Sequence, residues 1–302
     1  MEDMITGLCP QCGHTLHIPA ELASFSCMYC GARLTKEQLA AEPPAAQEAD
    51  EDRAAYYDRA VSRLGWCIKN FGGYQKKIMR DVFFEAFETY ETGCAPVIQE
   101  LARGVAPEQQ TQLLGRAAAA MLDELEAGWQ KKGDMEDEKI VLAIFFVPMV
   151  RKQHLPISEE FVTILQKQWV ERYPKSPFYL GDYESISGGF RKKFLGLCFI
   201  TTAVCQELGK PDDCEELTAF RAFRDGYLRS QPDGEALIRE YYNIAPGIVT
   251  CINTCSDRHA SYARIREEYL APCYQDLLAG RNESCKARYV RMVRDLEREY
   301  LS

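Results

Sequence analysis

The sequence has no excess of positive charge. Of its 302 residues, 45 are Asp or Glu and only 36 are Lys or Arg, which gives a formal net charge of −9. Sequence-independent binding of nucleic acid needs a basic surface that neutralises the phosphates. The composition therefore argues against a nucleic-acid partner and favours a protein partner.

Long apolar runs are also missing. The longest, Ile140–Val150, contains Pro148 and is too short to span a bilayer, so it predicts a buried helix. The first residues, Met1–Leu8, include two acids and no apolar core of signal-peptide length. We therefore expect no membrane association and a cytoplasmic location, where the cysteines stay reduced.

Common catalytic signatures do not occur in the sequence. It contains no Gly-rich phosphate loop, Walker motif, Gly-x-Ser-x-Gly or His-Glu-x-x-His. Only His154 and His259 lie outside the first 35 residues, and neither belongs to a nucleophile or metal motif. A Cys–His dyad is therefore poorly supported, and the sequence leaves open whether the protein is an enzyme.

Four of the 13 cysteines form two Cys-x-x-Cys pairs near the N-terminus. Cys9 and Cys12 form the first, and Cys27 and Cys30 form the second, fourteen residues further on. A glycine follows each pair and can adopt the positive φ of a tight turn around a metal. Four thiolates at this spacing predict one structural Zn²⁺ in a closed tetrahedral site, with two redox-active pairs as the alternative.

The rest of the chain predicts a mainly α fold, because apolar residues recur with helical period nearly everywhere. Short strands are expected only in the zinc ribbon, at Thr15–Ile18 and Ser24–Ser26. The Ala-, Glu- and Pro-rich stretch that follows is typical of a tether. The predicted units are a zinc ribbon at 1–35, an acidic Ala/Pro linker at 36–52, a helical middle domain at 53–180 and a helical C-terminal domain at 181–302.

One segment of the C-terminal part combines cysteines and threonines on a predicted helix over Phe194–Leu208. Helical spacing places Cys198, one of two adjacent threonines (Thr201 or Thr202) and Cys205 on one face. A thiol near the start of a helix feels the positive end of the helix dipole, which lowers its pKa. A reactive thiolate at Cys198 is therefore one hypothesis, but a buried thiol that only packs is the favoured interpretation, because free cysteine is among the most buried residue types.

Further along the chain, Arg221 and Asp225 are spaced as an i, i+4 pair, and Arg224 lies between them. An arginine near Cys198 would stabilise a thiolate, whereas a surface pair would contribute only a few tenths of a kcal/mol. A second metal or cluster site is another hypothesis, although the spacings match no known ligand motif. Its sulfur ligands would come from Cys198, Cys205, Cys214, Cys273 and Cys285.

Three stretches of the C-terminal part stand out together: Cys198-Phe-Ile-Thr-Thr-Ala203, Leu217-x-x-Phe-Arg-x-Phe-Arg-Asp225 and Tyr241-Tyr242-x-Ile-Ala-Pro246. Together they resemble the bacterial CFI-box domain, in which Ser-Pro is usual where this sequence has Ala-Pro and Leu where it has Phe220. The match covers about residues 190–255. The resemblance implies a bacterial, Firmicutes-like origin and a helical module, but no activity. Its candidate site consists of the residues that match the motif: Cys198, Arg221, Arg224, Asp225, Tyr241 and Tyr242.

These observations favour a zinc-binding adaptor whose ribbon and helical grooves contact protein partners. The first alternative is a thiol enzyme or redox sensor, in which Cys198 is the nucleophile, Arg221 or Arg224 stabilises negative charge and Asp225 orients the arginine. The second alternative, a transcription-associated regulator acting through the ribbon, is weaker because the chain is acidic. The sequence leaves the substrate, the partner and the oligomeric state undetermined.

Overall fold

The N-terminal module consists of two β-hairpins. In this computed structural model, which describes residues 4–39, 50–191 and 198–301, β1 (Met4–Leu8) pairs antiparallel with β2 (Thr15–Pro19). Likewise, β3 (Ser24–Ser26) pairs with β4 (Arg33–Thr35). Each hairpin turn contains one Cys-x-x-Cys pair, so the chain reverses direction where the sulfur atoms are needed.

The two strands predicted from the sequence are present, at β2 and β3, but they do not pair with each other. Each pairs with a neighbour that the sequence analysis did not identify. Alternation of buried and exposed residues in β2 places Leu16 and Ile18 on the inner face. With Leu34 of β4, they form a small core around the buried Cys9 and Cys27.

Most of the predicted linker, 40–49, lies outside the described residues. At its ends, Lys36–Gln38 forms a single 3₁₀ turn and a helix begins at Asp50. The first half of the body is helical, as expected for a mainly α chain. Its helices are α1 (Asp50–Leu64), α2 (Trp66–Lys69), α3 (Phe83–Gly104), α4 (Gln110–Gly128), α5 (Lys132–Val141), α6 (Val147–Lys152) and α7 (Ser158–Arg172).

The apolar run Ile140–Val150 lies in the centre of the body and is buried throughout, as predicted. It joins α5 to α6 through a π-helical turn at Leu142–Phe146. Pro148 has no backbone N–H, and its ring clashes with the carbonyl four residues earlier in a regular helix. The wider π turn lets the helix continue through this position.

The second half of the body is also helical. Its helices are α8 (Tyr183–Arg191), α9 (Phe199–Glu207), α10 (Glu215–Phe223), α11 (Gly234–Cys255), α12 (Arg258–Ile265), α13 (Ala271–Leu278) and α14 (Asn282–Tyr300). Two further π-helical turns extend α10 and α12, at Arg224–Leu228 and Arg266–Leu270. The predicted start of the Cys198 helix at Phe194 lies outside the described residues, and the helix itself begins at Phe199.

Helix α8 begins at Tyr183, just after the domain boundary predicted at residue 181 and in a glycine-containing stretch. Asp182 caps the helix by accepting a hydrogen bond from the backbone N–H of Ser185 at 2.8 Å. Phe190 stacks on Phe83 of α3 with a centroid separation of 4.3 Å. Capping and tertiary packing thus outweigh the low helix propensity of the two glycines in this stretch.

Buried side chains form one continuous core from α1 to the end of α14. The core crosses position 181, where Arg151 donates to the backbone carbonyl of Gly181 at 3.0 Å. The division into two helical domains at this position stays a prediction. Among the described helices, none combines the length and the apolar character that a membrane crossing requires.

Candidate functional site

The two Cys-x-x-Cys turns have the same backbone geometry. In the first, the N–H of Cys9 donates to His14 O at 2.9 Å and that of Gly13 donates to Cys9 O at 2.8 Å. In the second, the N–H of Cys27 donates to Ala32 O and that of Gly31 donates to Cys27 O, both at 2.8 Å. Both glycines have the expected positive φ, 72° and 74°. The turns therefore present two sulfur atoms each, in matching positions.

The four sulfur atoms lie within 4.8 Å of one another. Across the two hairpins, Cys9 Sγ is 3.8 Å from Cys30 Sγ, and Cys12 Sγ is 3.7 Å from Cys27 Sγ. These distances are far longer than the S–S bond of a disulfide, about 2 Å. They match the edge of a tetrahedron with metal–sulfur bonds of about 2.3 Å, which is about 3.8 Å. The cysteines thus form a site that could hold a metal ion.

The ionisation of these thiols differs within the cluster. Although burial opposes ionisation, hydrogen bonds from the backbone N–H groups of Cys30 and Tyr29 lower the pKa of Cys27 to about 7. Burial and the neighbouring thiols raise the pKa of Cys12 to about 12. Four thiolates this close repel one another, so full ionisation requires a cation at the centre.

The tip of the second turn is exposed and apolar. Met28 is 81% exposed and Tyr29 is 54% exposed. The Tyr29 ring stacks on His14 from the first turn, with 4.1 Å between ring centroids. The matching positions of the first turn carry Pro10 and Gln11, so the two tips differ in chemistry.

In the body, residues from all three CFI-box-like stretches meet at Arg224. Its Nη1 donates to Tyr242 Oη at 3.0 Å and lies 3.5 Å from Cys198 Sγ. Nε and Nη2 donate to the two carboxylate oxygens of Asp225 at 2.8 and 2.6 Å. The π-helical turn that starts at Arg224 shapes this part of the backbone, and such turns occur frequently at functional sites.

Arg221 does not belong to this cluster, and the predicted Arg221–Asp225 pair is wrong. Arg221 instead donates to Asp212 Oδ1 at 2.8 Å and to Asp212 O at 2.7 Å. The reason is that Asp225 is adjacent to Arg224 and accepts two hydrogen bonds from the Nε–Nη2 edge of its guanidinium. Arg224 is therefore the arginine that faces Cys198.

The expected low pKa of Cys198 is also wrong. The side chain is only 4% exposed, and burial raises its pKa even though the charges of Arg224 and Arg221 oppose this effect. Cys198 directly precedes α9, at the end of the helix where the dipole is positive. Desolvation outweighs the favourable charges, because removal from water penalises the thiolate more than the neutral thiol.

A second hydrogen-bond chain links α9, α11 and α14. The backbone N–H of Ile200 donates to Tyr241 Oη at 3.0 Å, and Tyr241 Oη is 3.4 Å from Tyr289 Oη. Tyr289 Oη also lies 3.1 Å from Thr201 Oγ1. The sequence analysis missed Tyr289, because it lies in α14, far along the chain from the three motif stretches.

These groups border a narrow cavity between α10, α11 and α14. The cavity between the described walls has a volume of about 60 Å³ and opens to solvent. Cys198 and Arg224 lie at one side, and Glu240 and Arg294 form an ion pair at another. The apolar and aromatic wall residues are Phe220, Phe223, Leu228, Leu237, Ile238, Tyr241, Tyr289, Val290 and Val293.

No family model, curated protein or solved structure matches this chain. The resemblance to the CFI-box domain therefore rests on the three motif stretches alone.

The remaining cysteines of the predicted second metal site do not converge. Cys205 neighbours Cys214, which contributes with burial to raising the pKa of Cys205 to about 12. Cys273 neighbours Cys285, and their contact together with burial raises the pKa of Cys273. Across 4–39, 50–191 and 198–301, Cys9, Cys12, Cys27 and Cys30 are the only group of three or more His, Cys, Asp or Glu side chains close enough to share a metal.

Proposed function

We propose that this chain is a zinc-binding adaptor that contacts a protein partner through the tip of its second Cys-x-x-Cys turn. The observation that carries the proposal is the exposure of Met28 and Tyr29 beside the metal site. Large apolar side chains in a rigid turn are typical anchors for a recess on another protein. The partner surface would offer an apolar pocket of methionine size.

The charge of the ribbon supports a protein over a nucleic acid. Residues 4–39 contain two cations, Arg33 and Lys36, and two anions, Glu21 and Glu37. Before metal binding, their charges therefore cancel, and a Zn²⁺ bound by four thiolates adds a net charge of −2. Phosphate recognition would require positive charge at this surface. This balance weakens the alternative of a transcription-associated regulator that grips nucleic acid.

Zinc is the metal proposed for the site, because a tetrahedral set of four thiolates in short hairpins is a structural zinc site. Iron is the other ion that such a set binds. Metal analysis of the purified full chain separates them: we expect one zinc per chain, lost when Cys27 is changed to Ser. A colourless protein with no zinc, or an iron-coloured protein, would contradict the assignment.

The partner contact is tested by placing a photo-crosslinking amino acid at position 28 in the cells that make the protein. The control is the same amino acid at position 10, since Pro10 occupies the matching place in the first turn. We expect a discrete protein adduct from position 28 that is absent from position 10 and disappears after zinc is removed. Equal adducts from both positions, or none, would refute a contact through this tip.

The thiol-enzyme alternative has one observation in its favour, the 3.5 Å separation of Cys198 Sγ from the guanidinium of Arg224. The raised pKa of Cys198 weighs against it, because the thiolate is the nucleophile. Alkylation of the native protein across a pH series, followed at Cys198 by mass spectrometry, distinguishes a thiol enzyme from an adaptor without a reactive thiol. Fast alkylation with an apparent pKa below about 8.5, the ordinary cysteine value, would favour the enzyme.

A further inference from the structure

A polar cleft lies between Gly188 of α8, Thr202 of α9, Asn253 of α11 and Arg258 of α12. Its volume is about 600 Å³, against about 60 Å³ for the cavity beside Cys198. Sites for small molecules span about 300–1,000 Å³. The polar cleft is therefore large enough to hold such a molecule, and it opens to solvent.

The wall that α8 contributes is kept open by glycine. Outside its own helix, no heavy atom of the described residues lies within 4 Å of a Cβ built on Gly188. Packing therefore does not require a glycine at this position, although glycine is a poor helix former. The missing side chain leaves space free at the cleft that almost any other residue would fill.

One hydroxyl at the polar cleft has no hydrogen-bond partner in the described part of the chain. Thr250, which also lines the cleft, donates to Pro246 O at 2.9 Å, the usual bond of a helical threonine to the carbonyl four residues earlier. Thr202 makes no such bond, although its Oγ1 is buried. An unpaired buried hydroxyl is costly. A bound polar group would satisfy it.

The charged groups at the polar cleft already have partners of opposite sign. Glu207 is only 12% exposed; its Oε2 pairs with Arg258 Nε at 3.0 Å, and its Oε1 contacts His259 Nδ1. Glu184, which is well exposed, pairs with Arg191 at 3.4 Å. A cationic ligand would have to compete with these arginines, and an anionic ligand would be repelled by the carboxylates. The ligand class that fits is therefore neutral.

The remaining polar groups favour a ligand that both donates and accepts hydrogen bonds. The Thr202 hydroxyl and the amides of Gln206 and Asn253 line the cleft, and each can do both. Tyr262 Oη donates to Asn253 Oδ1 at 2.9 Å, which leaves the NH₂ of this amide as a donor. Phe199 adds apolar surface. Hydroxyl groups on a compact carbon skeleton match this mixture, because C–H groups can pack on the ring while the hydroxyls donate and accept.

We propose that the polar cleft binds a neutral small molecule that carries several hydroxyl groups, the chemistry that simple sugars and nucleosides share. One ligand hydroxyl pairs with Thr202 Oγ1. The polar cleft is separate from the metal-binding ribbon, so this function adds to the proposed adaptor and does not depend on it.

The ligand class is tested on the full, metal-loaded chain by saturation-transfer difference NMR. The probes are glucose and adenosine, each compared with its own phosphate monoester. We expect saturable binding of at least one neutral probe and binding of its monoester that is weaker by about tenfold or more. Absence of saturable binding by both neutral probes, or a monoester that binds as tightly as its parent, would overturn the proposal.

The location is tested by filling the polar cleft from α8. Gly188→Leu places a side chain in the open space, and the matched control Gly133→Leu adds the same side chain at an exposed helical glycine that also has open space around it. We expect Gly188→Leu to abolish binding of the neutral probe and Gly133→Leu to keep it. Unchanged binding to Gly188→Leu would show that the probe binds elsewhere and would refute the site.

The role of the unpaired hydroxyl is tested with Thr202→Val, which keeps the branched shape of the side chain. Because this hydroxyl has no partner in the free protein, the denaturation midpoint should not fall, whereas the neutral probe should bind about two- to tenfold more weakly. The control Thr254→Val removes a bond to Thr250 O outside the described wall of the cleft. It should lower the midpoint and leave probe binding unchanged. Unchanged probe binding by Thr202→Val would contradict the predicted contact.

Discussion

The two arginines of the second motif stretch should differ sharply in their contribution to stability. Arg224 is buried and donates to Tyr242 Oη at 3.0 Å, whereas the Arg221 side chain binds Asp212 at the surface. We consider Arg224→Met and Arg221→Met, because methionine keeps much of the apolar stem and removes only the guanidinium.

The magnitude follows from the bonds that are lost. A hydrogen bond from a charged group contributes about 1.5–3 kcal/mol, which applies to the buried Arg224–Tyr242 bond. The Asp225 partner is half exposed, so this ion pair adds about 0–1 kcal/mol. We therefore expect Arg224→Met to lower the free energy of unfolding by about 1.5–4 kcal/mol. Arg221→Met, which breaks only exposed contacts with the carboxylate and the backbone carbonyl of Asp212, should cost about 1 kcal/mol or less.

Urea unfolding followed by circular dichroism, at fixed pH and zinc concentration, measures both values. A double-mutant cycle with Tyr242→Phe isolates the buried bond and should give a coupling of about 1.5–3 kcal/mol. Because the charge of Arg224 opposes the effect of burial on the Cys198 pKa, Arg224→Met should also slow alkylation of Cys198 at a given pH. Equal stability of the two methionine variants would refute the assignment of Arg224 as the central residue.

Three further results are expected. Gly247→Ala should lower the free energy of unfolding by about 1–3 kcal/mol, because the added Cβ would lie 1.9 Å from Ile78 O. The control Gly133→Ala, which has open space around it, should be neutral or slightly stabilising in the same unfolding assay. Cys30→Ala should abolish stoichiometric metal binding, since three thiolates leave the tetrahedron open, whereas His17→Ala should bind metal normally in the same metal analysis. The free energy of unfolding should fall as the pH rises above about 8.5, the pKa of a free thiol. In that range thiols of the unfolded chain ionise, whereas burial keeps native thiols such as Cys198 protonated. Denaturation midpoints that do not change with pH would contradict this.

The sequence predicted the metal cluster well because a Cys-x-x-Cys-Gly turn is local. Its spacing and its positive-φ glycine place two sulfur atoms without help from the rest of the fold, as Gly13 and Gly31 show. Their pairing partners, Met4–Leu8 and Arg33–Thr35, were not predicted, because pairing is a contact between two segments and the pattern within one segment does not specify it.

The candidate site in the body was only partly predictable, because its properties depend on tertiary packing. Helical spacing placed Cys198 next to a helix start, but it could not reveal that burial would raise the thiol pKa. The same spacing suggested Arg221 as a partner of Asp225, whereas the structure assigns that role to Arg224. Tyr289 reaches the cluster from the last helix, a contact that no local pattern predicts.

Because of the π-helical turn at Arg224–Leu228, the shape of the cavity depends on the number of residues in this segment of the chain. A π turn closes its hydrogen bond over one more residue than an α turn, here from the N–H of Arg229 to Arg224 O. Deleting Gly226 would allow ordinary α-helical bonds and would rotate the following residues by about 100° relative to α10. Leu228 would then leave the wall, although no wall residue had been changed. One surplus residue in the backbone thus sets the shape of the cavity as firmly as the side chains that line it.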